Sequence, residues 1–285
     1  VLFRSLFLGS GSAFTVGEDN YQCNVLLTSD RSKRLLLDCG SDIRFSLHAV
    51  GLSACDISDI YISHLHSDHI GGLEYMGFKT LFNPECLRPN LYASQDVLKD
   101  LWERSLSGGM RAIEEGTTTL ETFFQVHSIN HDRHFIWEDI RFELVPVPHV
   151  HTAANLLPTY GLFFRLGNTN IFHTSDTRFA PQSLNPFYQK ADLIFHDCET
   201  SNISTPVHAR YSQLCSLPPE IKAKMWLCGY NPGERPDPTQ DGFRGFIQRG
   251  QTFDFTSPIA LTHPAKKHPE RQVFSLPDRL KALVH

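Results

Sequence analysis

The stretch SHLHSDHIGG, at residues 63–72, contains four side chains that are able to bind a metal ion: His64, His66, Asp68 and His69. Imidazole nitrogens combined with carboxylate oxygens suit zinc, and they also suit manganese and iron. The alternative interpretation is a solvated turn that is rich in histidine. The four groups follow an apolar stretch and precede two glycines, and this context favours the metal site.

A buried strand is the element that must position these groups. The stretch DISDIYISH, at residues 56–64, has the composition of such a strand. Alternation along a strand sends His64 and His66 to the same face. A tight turn then brings Asp68 and His69 back toward the same point. We therefore expect all four side chains to face one site.

The rest of the chain alternates strands with helices in two comparable halves, which predicts a layered α/β domain. A helix over residues 94–106 is predicted to begin at an N-cap, Ser94. Residues 256–285 are basic and interrupted by proline, so we expect a single domain over 1–255 and a C-terminal tail or docking segment after it. Strands are predicted over residues 23–30, 32–40, 56–64, 140–150, 160–168, 170–176, 191–199 and 222–230, and residues 4–14 are predicted to be a strand that runs into a Gly/Ser turn. Further helices are predicted over 41–51 and 207–217, and residues 66–78 are predicted to be a loop that enters a helix.

Composition excludes several classes of protein. The chain has 285 residues, a net charge of −5 and no run of 18 apolar residues, so neither a membrane span nor broad nucleic-acid binding is expected. Seven cysteines without a CxxC pair predict reduced thiols and a cytoplasmic protein. No secretory signal is recognised, and the first five residues, VLFRS, are expected to lie outside the functional part.

The HxHxDH run resembles the signature of the metallo-β-lactamase superfamily. FLGSGSAF, at residues 7–14, is similar to the first strand and turn of that fold, and LLLDCG, at residues 35–40, to its D-x-G strand beneath the metals. The later segments DLIFHDCETS and VHARYSQL look most like the tRNase Z-like branch. The resemblance covers residues 4–230 and implies a four-layer αββα sandwich with two metals at one edge of its sheets.

The resemblance also assigns roles to individual residues. It makes His64 and His66 ligands of the first metal, and Asp68 and His69 ligands of the second. A further histidine is expected at a strand end, and the segment PVPHVHT supplies it. His149 is the first choice for that ligand, and His151, which has the same strand parity, is the alternative.

Two more residues take roles from the resemblance. Asp176, at the end of NIFHTSD, would bridge both metals, the alternative being an aspartate that caps a turn. His208 opens a predicted helix and would lie near the scissile phosphate, where it would assist proton transfer or charge stabilisation. The alternative for His208 is an ordinary surface helix start.

One position departs from the family pattern. The last ligand should be a histidine at the end of the final strand, and Gly229 stands there in MWLCGYNPG. Water, Cys228 or His263 could take its place, although the strand parity of Cys228 is wrong for this. A weak or exchangeable second metal is the expected consequence.

The implied activity is that of a binuclear metal-dependent hydrolase. Zinc is the first choice of metal, with manganese and iron as alternatives. Zinc lowers the pKa of bound water from near 16 to about 7, so a metal-bridged hydroxide would be the nucleophile. Asp68 would orient it or take its proton, and His208 would stabilise or protonate the leaving group. Such a centre suits a phosphodiester substrate.

The substrate class follows from what the chain has and lacks. Lactamases and glyoxalase-like thioesterases carry a PGHTxG-like third motif, which VPHVHTAANLLPTYG does not match. True tRNase Z enzymes commonly insert a tRNA-binding arm between the third histidine and the bridging aspartate, and here residues 150–175 hold only a hairpin. A small phosphodiester or cyclic nucleotide is therefore the expected substrate. The alternatives are a tRNase Z-type RNA 3′ endonuclease and, because of Gly229, a non-catalytic binding module. Relatives often dimerise, so a homodimer stays open.

Overall fold

The structure of the protein is a computed structural model, which describes residues 3–17, 19–114, 116–151, 157–203 and 205–255. Along these residues the strands are β1 (Phe3–Phe7), β2 (Val25–Ser29), β3 (Arg34–Leu37), β4 (Asp59–Ile62), β5 (Asn90–Ser94), β6 (Ala112–Ile113), β7 (Gly116–Thr117), β8 (Gln125–Ile129), β9 (His134–Trp137), β10 (Ile140–Pro146), β11 (Tyr160–Leu166), β12 (Thr169–His173), β13 (Leu193–Asp197), β14 (Met225–Cys228), β15 (Gly245–Phe246) and β16 (Thr252–Asp254).

The helices lie between these strands. They are α1 (Ile43–Ala49), α2 (Ser67–Ile70), α3 (Leu73–Leu81), α4 (Gln95–Asp100), α5 (Ser107–Met110), α6 (Leu120–Phe123), α7 (Pro181–Lys190), α8 (Tyr211–Leu214) and α9 (Pro219–Lys222). Among the described residues, no helix combines the length and apolarity that crossing a bilayer requires.

Two seven-stranded sheets form the centre of the molecule. The first has the order β16-β1-β2-β3-β4-β5-β8, and the second has the order β15-β14-β13-β12-β11-β10-β9. Strands β3, β4, β5 and β8 are parallel, as are β12, β13, β14 and β15. Side chains from both sheets interdigitate between them, and the rings of Phe7 and Phe195, from β1 and β13, lie 5.0 Å apart.

Helices cover the outer face of each sheet, so the molecule has four layers. Ile43 and Met76, from α1 and α3, pack on the first sheet, and Leu184 and Tyr188, from α7, pack on the second. Strand β4 shows why the sequence folds this way. All four of its residues are buried, because Tyr61 faces the other sheet while its neighbours face the helices. The predicted αββα sandwich is confirmed.

Two predicted helices differ in their bounds. The helix predicted over 94–106 is capped as expected, since Ser94 Oγ accepts a hydrogen bond from the Val97 amide, but it passes into a π-helical turn at Leu101–Leu106. The helix predicted over 207–217 begins only at Tyr211, so His208 precedes it. The backbone of residues 209–211 instead pairs with Glu199, which keeps this segment extended.

One expectation from composition is wrong. Cys55 and Cys86 form a disulfide, with Cα atoms 4.7 Å apart, so the cysteines are not all reduced thiols. Residues 3–5 of the N-terminal segment are part of the first sheet. Phe3–Phe7 is a strand between β16 and β2, because its alternate side chains, starting from Phe3, are buried between the sheets. The predicted tail, and with it His263, lies outside the described residues.

A buried histidine generates a prediction about stability. His196 of β13 is fully buried, and its ring nitrogens bond to Tyr188 Oη at 2.7 Å and to the Asp197 carbonyl at 2.6 Å. Burial lowers the pKa of His196 from 6.5 to about 4. The unfolded chain therefore takes up a proton first as the pH falls. As the pH falls from 6.5 to about 4, the free energy of unfolding should therefore drop by up to about 3 kcal/mol because of this residue.

The check is urea unfolding at stepped pH for the wild type and for His196→Gln. The variant should lose less stability per pH step, because glutamine does not titrate. Parallel stability profiles for the two proteins would contradict the prediction.

Candidate metal centre

Three imidazoles and a carboxylate converge at the carboxyl ends of β4, β10 and β12. His66 Nδ1 lies 3.0 Å from His64 Nε2 and 3.1 Å from His149 Nε2. Asp176 Oδ2 lies 3.9 Å from His64 Nε2 and 3.7 Å from His149 Nε2. These four residues form one candidate cation site, called here the first subsite.

A second group of donors shares the same aspartate. His69 Nε2 lies 3.2 Å from Asp68 Oδ2 and 3.4 Å from Asp176 Oδ2. These three residues form the second subsite. The short helix α2 turns Asp68 and His69 toward the first subsite. A Cβ at Gly40 would lie 2.3 Å from the Asp68 carbonyl oxygen, so this close approach requires the glycine of the DCG sequence.

Hydrogen bonds fix the outward protons of three rings. The Nδ1–H of His149 donates to a backbone carbonyl at 2.8 Å, and the Nδ1–H of His69 donates to Asp38 Oδ2 at 2.7 Å. Ser63 Oγ donates to the same carboxylate, so it accepts from His64 Nδ1 at 3.0 Å. When these rings are neutral, each Nε2 carries no proton, and its lone pair faces the centre and can bind a metal.

Asp38 organises this arrangement from beneath. Its backbone is in the left-handed region, with φ of 62°, which a non-glycine residue adopts at a cost. Its carboxylate accepts hydrogen bonds from the Ser63 amide, the Ser63 hydroxyl and His69 Nδ1. The D-x-G resemblance placed this strand under the site, and the structure gives Asp38 the contacts that hold one ligand candidate of each subsite.

The electrostatics favour a cation at the centre. Burial lowers the pKa of His64 far below its usual value and that of His149 to about 4, so both rings are neutral at neutral pH. Burial also opposes charge on His69, but Asp176, Asp68 and Asp38 outweigh it and raise its pKa. The buried His69 Nε2 is close to two carboxylates yet makes no hydrogen bond. The carboxylates therefore favour positive charge at His69 Nε2, which a divalent metal supplies when it replaces the proton there.

A concave pocket of about 410 Å³ opens onto both subsites. This volume is in the range of small-molecule sites. Among the described residues, those that line the pocket include no lysine or arginine. Its lining residues are Ser12, Ala13, Phe14, His66, Ser67, Asp68, Asp176, Glu199, Thr205, Val207, His208, Gly229 and Asn231.

A histidine–aspartate pair borders this pocket. His208 Nδ1 lies 2.7 Å from Asp197 Oδ2, and that oxygen also accepts from the Thr177 amide at 2.9 Å. Burial lowers the pKa of His208, but Asp197 and Asp176 together raise it to about 10. The imidazole is therefore cationic at neutral pH. Sequence reasoning did not single out Asp197, although it lies in the DLIFHDCETS segment that carries the resemblance.

The structure brings together all six predicted ligands: His64, His66, Asp68, His69, His149 and Asp176. It also places His208 3.9 Å from Asp176 Oδ2. The alternative ligand His151 is exposed and belongs to neither subsite. The guanidinium of Arg178 donates to the His149 carbonyl at 2.8 Å and so helps to position that ring.

The structure gives a physical reason for the missing last ligand. Gly229 has a φ of +73°, and a Cβ on it would lie 2.8 Å from Asp197 Oδ1. Any side chain at this position would be strained and would collide with the aspartate. Cys228 is one of the three substitutes expected from the sequence. It points into the space between the sheets and belongs to a different group of candidate ligands, not to the second subsite.

Comparisons with known proteins agree with this geometry. The sequence profile of the family described as "Anti-Pycsar protein Apyc1" matches residues 3–253. An anti-Pycsar protein Apyc1 from Paenibacillus harenae is 33% identical over 228 residues, which cover 78% of this chain and 88% of the relative. One from Bacillus phage 010DV004 is 30% identical over 254 residues, covering 86% of this chain and 96% of the relative.

Solved structures share the fold. The metallo-β-lactamase fold protein YhfI from Bacillus subtilis superposes with a TM-score of 0.67 at 16% identity, over 89% of this chain and 100% of that one. The short form of human tRNase Z superposes with a TM-score of 0.63 at 17% identity, over 87% and 98% of the two chains. The predicted metallo-β-lactamase fold is confirmed.

The contacts of Asp38 lead to a prediction about metal affinity. Asp38→Asn should weaken metal binding by about 10- to 100-fold, because an amide group cannot accept from three donors and would no longer orient His69. Metal retained after dialysis against a graded chelator, counted by plasma mass spectrometry, measures this. The control is Asp59→Asn, which changes a buried carboxylate of β4 that bonds to Asn90 instead. Equal retention in the two variants would contradict the role of Asp38.

Proposed function

We infer, because the chain belongs to the family of the anti-Pycsar protein Apyc1, that it is a metal-dependent hydrolase of phosphodiesters. We propose a small phosphodiester, and above all a cyclic nucleotide, as the substrate. The observation that carries this proposal is the pocket of about 410 Å³, whose lining includes His208 and ligand candidates of both subsites.

The proposed metal ligands are the six converged residues. His64, His66, His149 and Asp176 would hold one divalent cation, and Asp68 and His69 would hold a second one together with the shared Asp176. Zinc suits these donors best, with manganese and iron as alternatives. Divalent cations bound there would lower the pKa of a water molecule and withdraw charge from a phosphate group.

The second subsite is proposed to be the weaker one. It offers three side-chain donors where the first subsite offers four, because position 229 contributes no side chain. The water-filled alternative from the sequence therefore has the support of the described residues. Exchange of the second cation should be the easier of the two.

Asp68 is proposed to act on the attacking water. Its carboxylate lies on the pocket wall, and its Oδ2 is 3.2 Å from His69 Nε2. A carboxylate oxygen accepts a proton or a hydrogen bond from a neighbouring water molecule. In this position Asp68 would orient the nucleophile and take its proton.

His208 is proposed to act on the leaving group. Asp197 fixes its Nδ1, so Nε2 is the ring nitrogen that remains for the pocket. Asp197 favours the protonated ring, because its carboxylate bonds to Nδ1 at 2.7 Å and raises the pKa of His208. Its Nε2–H would donate to the departing oxygen and stabilise the negative charge there.

The size and charge of the pocket support a small anionic substrate. The lining that the structure describes contains no lysine or arginine, so the attraction for a phosphate is proposed to come from His208 and the cations. Between His149 and Asp176 the described residues contain strands β11 and β12, joined by a tight turn at residues 167–168. This supports a chain without a tRNA-binding arm at that place. The tRNase Z-type endonuclease and the binding module are the outcomes that the assay must separate from the phosphodiesterase.

The assay compares the hydrolysis of bis(p-nitrophenyl) phosphate and cyclic nucleotides in the presence of zinc or manganese. Asp68→Ala and His208→Asn should each lower turnover by about 10²- to 10⁴-fold, because each removes a group that handles a proton. His48→Asn, an exposed histidine of α1, is the matched control and should keep full activity.

Each alternative predicts a different result. Equal signals from the wild type and Asp68→Ala would favour the non-catalytic binding module. Cleavage of a precursor tRNA with no turnover of cyclic nucleotides would favour the endonuclease.

A further inference from the structure

A third group of metal-binding side chains lies outside both subsites. It consists of Cys23, His173 and Cys228, whose sulfur and ring nitrogen atoms all lie within 4.8 Å of one another. These three residues are called here the thiol site. Cys23 precedes β2 of the first sheet, while His173 and Cys228 end β12 and β14 of the second. Only the closed sandwich brings these distant parts of the sequence together.

The thiol site faces a small cavity that is bordered by unsatisfied polar atoms. Its three side chains line a cavity of about 10 Å³, which is the room that one small ion or water molecule requires. His173 Nε2 is buried without a hydrogen-bond partner, and so is Asp197 Oδ1 on the same cavity wall. A buried polar atom without a partner is costly, and two that border one cavity point to something bound there.

We propose that Cys23, His173 and Cys228 bind a zinc ion or another divalent ion that prefers sulfur ligands. Two thiolates and one imidazole are a donor set that zinc accepts in tetrahedral sites. Asp197 Oδ1 is the candidate for the fourth donor. This ion would be additional to the two cations of the proposed centre, whose six ligands include no cysteine.

The charge balance suits the buried position. On binding, each of the two thiols loses a proton to solvent, and the resulting thiolates neutralise a divalent cation. The Asp197 carboxylate, as fourth donor, adds one negative charge, and His208, which bonds to it at 2.7 Å, carries the balancing positive charge. His173 must give up one contact, because its Nδ1 now accepts from the Ser175 amide at 3.2 Å and must carry the ring proton when Nε2 binds metal. One long, neutral hydrogen bond is a small loss against three metal–ligand bonds.

The position of the ion gives it a structural consequence. Its ligands come from both sheets, and its cavity also borders His69 and Asp176. The ion would therefore tie the sheets together directly beneath the second subsite. This is the side of the site where Gly229 leaves the family's last ligand missing.

The test uses the full chain loaded with Co²⁺ as the probe, without any substrate, so its outcome is independent of the proposed activity. A cobalt–thiolate bond produces an intense charge-transfer absorption in the near ultraviolet, which nitrogen and oxygen ligands alone do not. The wild type should show this absorption. Cys23→Ser/Cys228→Ser should lose it, together with one equivalent of bound metal. Cys215→Ser changes a thiol that belongs to none of the donor groups, so it should keep both signals.

Two results would overturn the proposal. One is a wild-type protein that binds cobalt without any thiolate absorption. The other is an absorption that persists in the double variant, which would assign it to other cysteines. Should the double variant fail to fold, the wild-type spectrum still shows whether cobalt binds to thiolate. His173→Asn then tests whether the ion lies at the thiol site, because this variant should lose one equivalent of bound metal, and a variant that keeps it would contradict the proposal.

Discussion

One carboxylate oxygen sets the geometry on which the site depends. Asp176 Oδ2 lies between 3.4 and 3.9 Å from ring nitrogens of His64, His69, His149 and His208. These rings come from segments that follow β4, β10 and β13, and the carboxylate itself follows β12. Burial lowers the pKa of His64 and His149, while carboxylates raise that of His69 and His208. Asp176 is therefore stabilised where positive charge gathers, whether as protons or as metal cations. The two sheets must therefore meet in one register for the centre to exist.

The sandwich supplies this register through its packing. Aromatic side chains such as Phe7 and Phe195 interlock between the sheets, and separate apolar layers hold helices on both outer faces. Close-packed layers resist sliding, because the interdigitated side chains would lose their contacts with the facing sheet. Beneath the donors, Asp38 adopts a strained backbone and is held by three hydrogen bonds. The rigidity of the fold thus allows an otherwise unfavourable arrangement of polar groups.

Much of the fold and of the candidate site could be predicted, because the signals are local. Strand alternation and one turn place the cluster from His64 to His69, and the ends of parallel strands meet at one edge. The misses arise from tertiary contacts. The segment before Tyr211 stays extended because it pairs with Glu199. The close approach of Gly229 to Asp197 depends on how two strand ends meet. The Cys55–Cys86 bond depends on the folding of a loop. Neither contact leaves a periodic signal in the sequence.

The most direct test of the central claim is anomalous X-ray diffraction from crystals of the zinc-loaded protein. The account predicts a strong zinc peak within bonding distance of His64, His66 and His149. It also predicts a weaker peak beside Asp68 and His69, with Asp176 between the two. Zinc-loaded crystals with no anomalous peak among these side chains would contradict the account, and the proposed hydrolase chemistry would lose its basis.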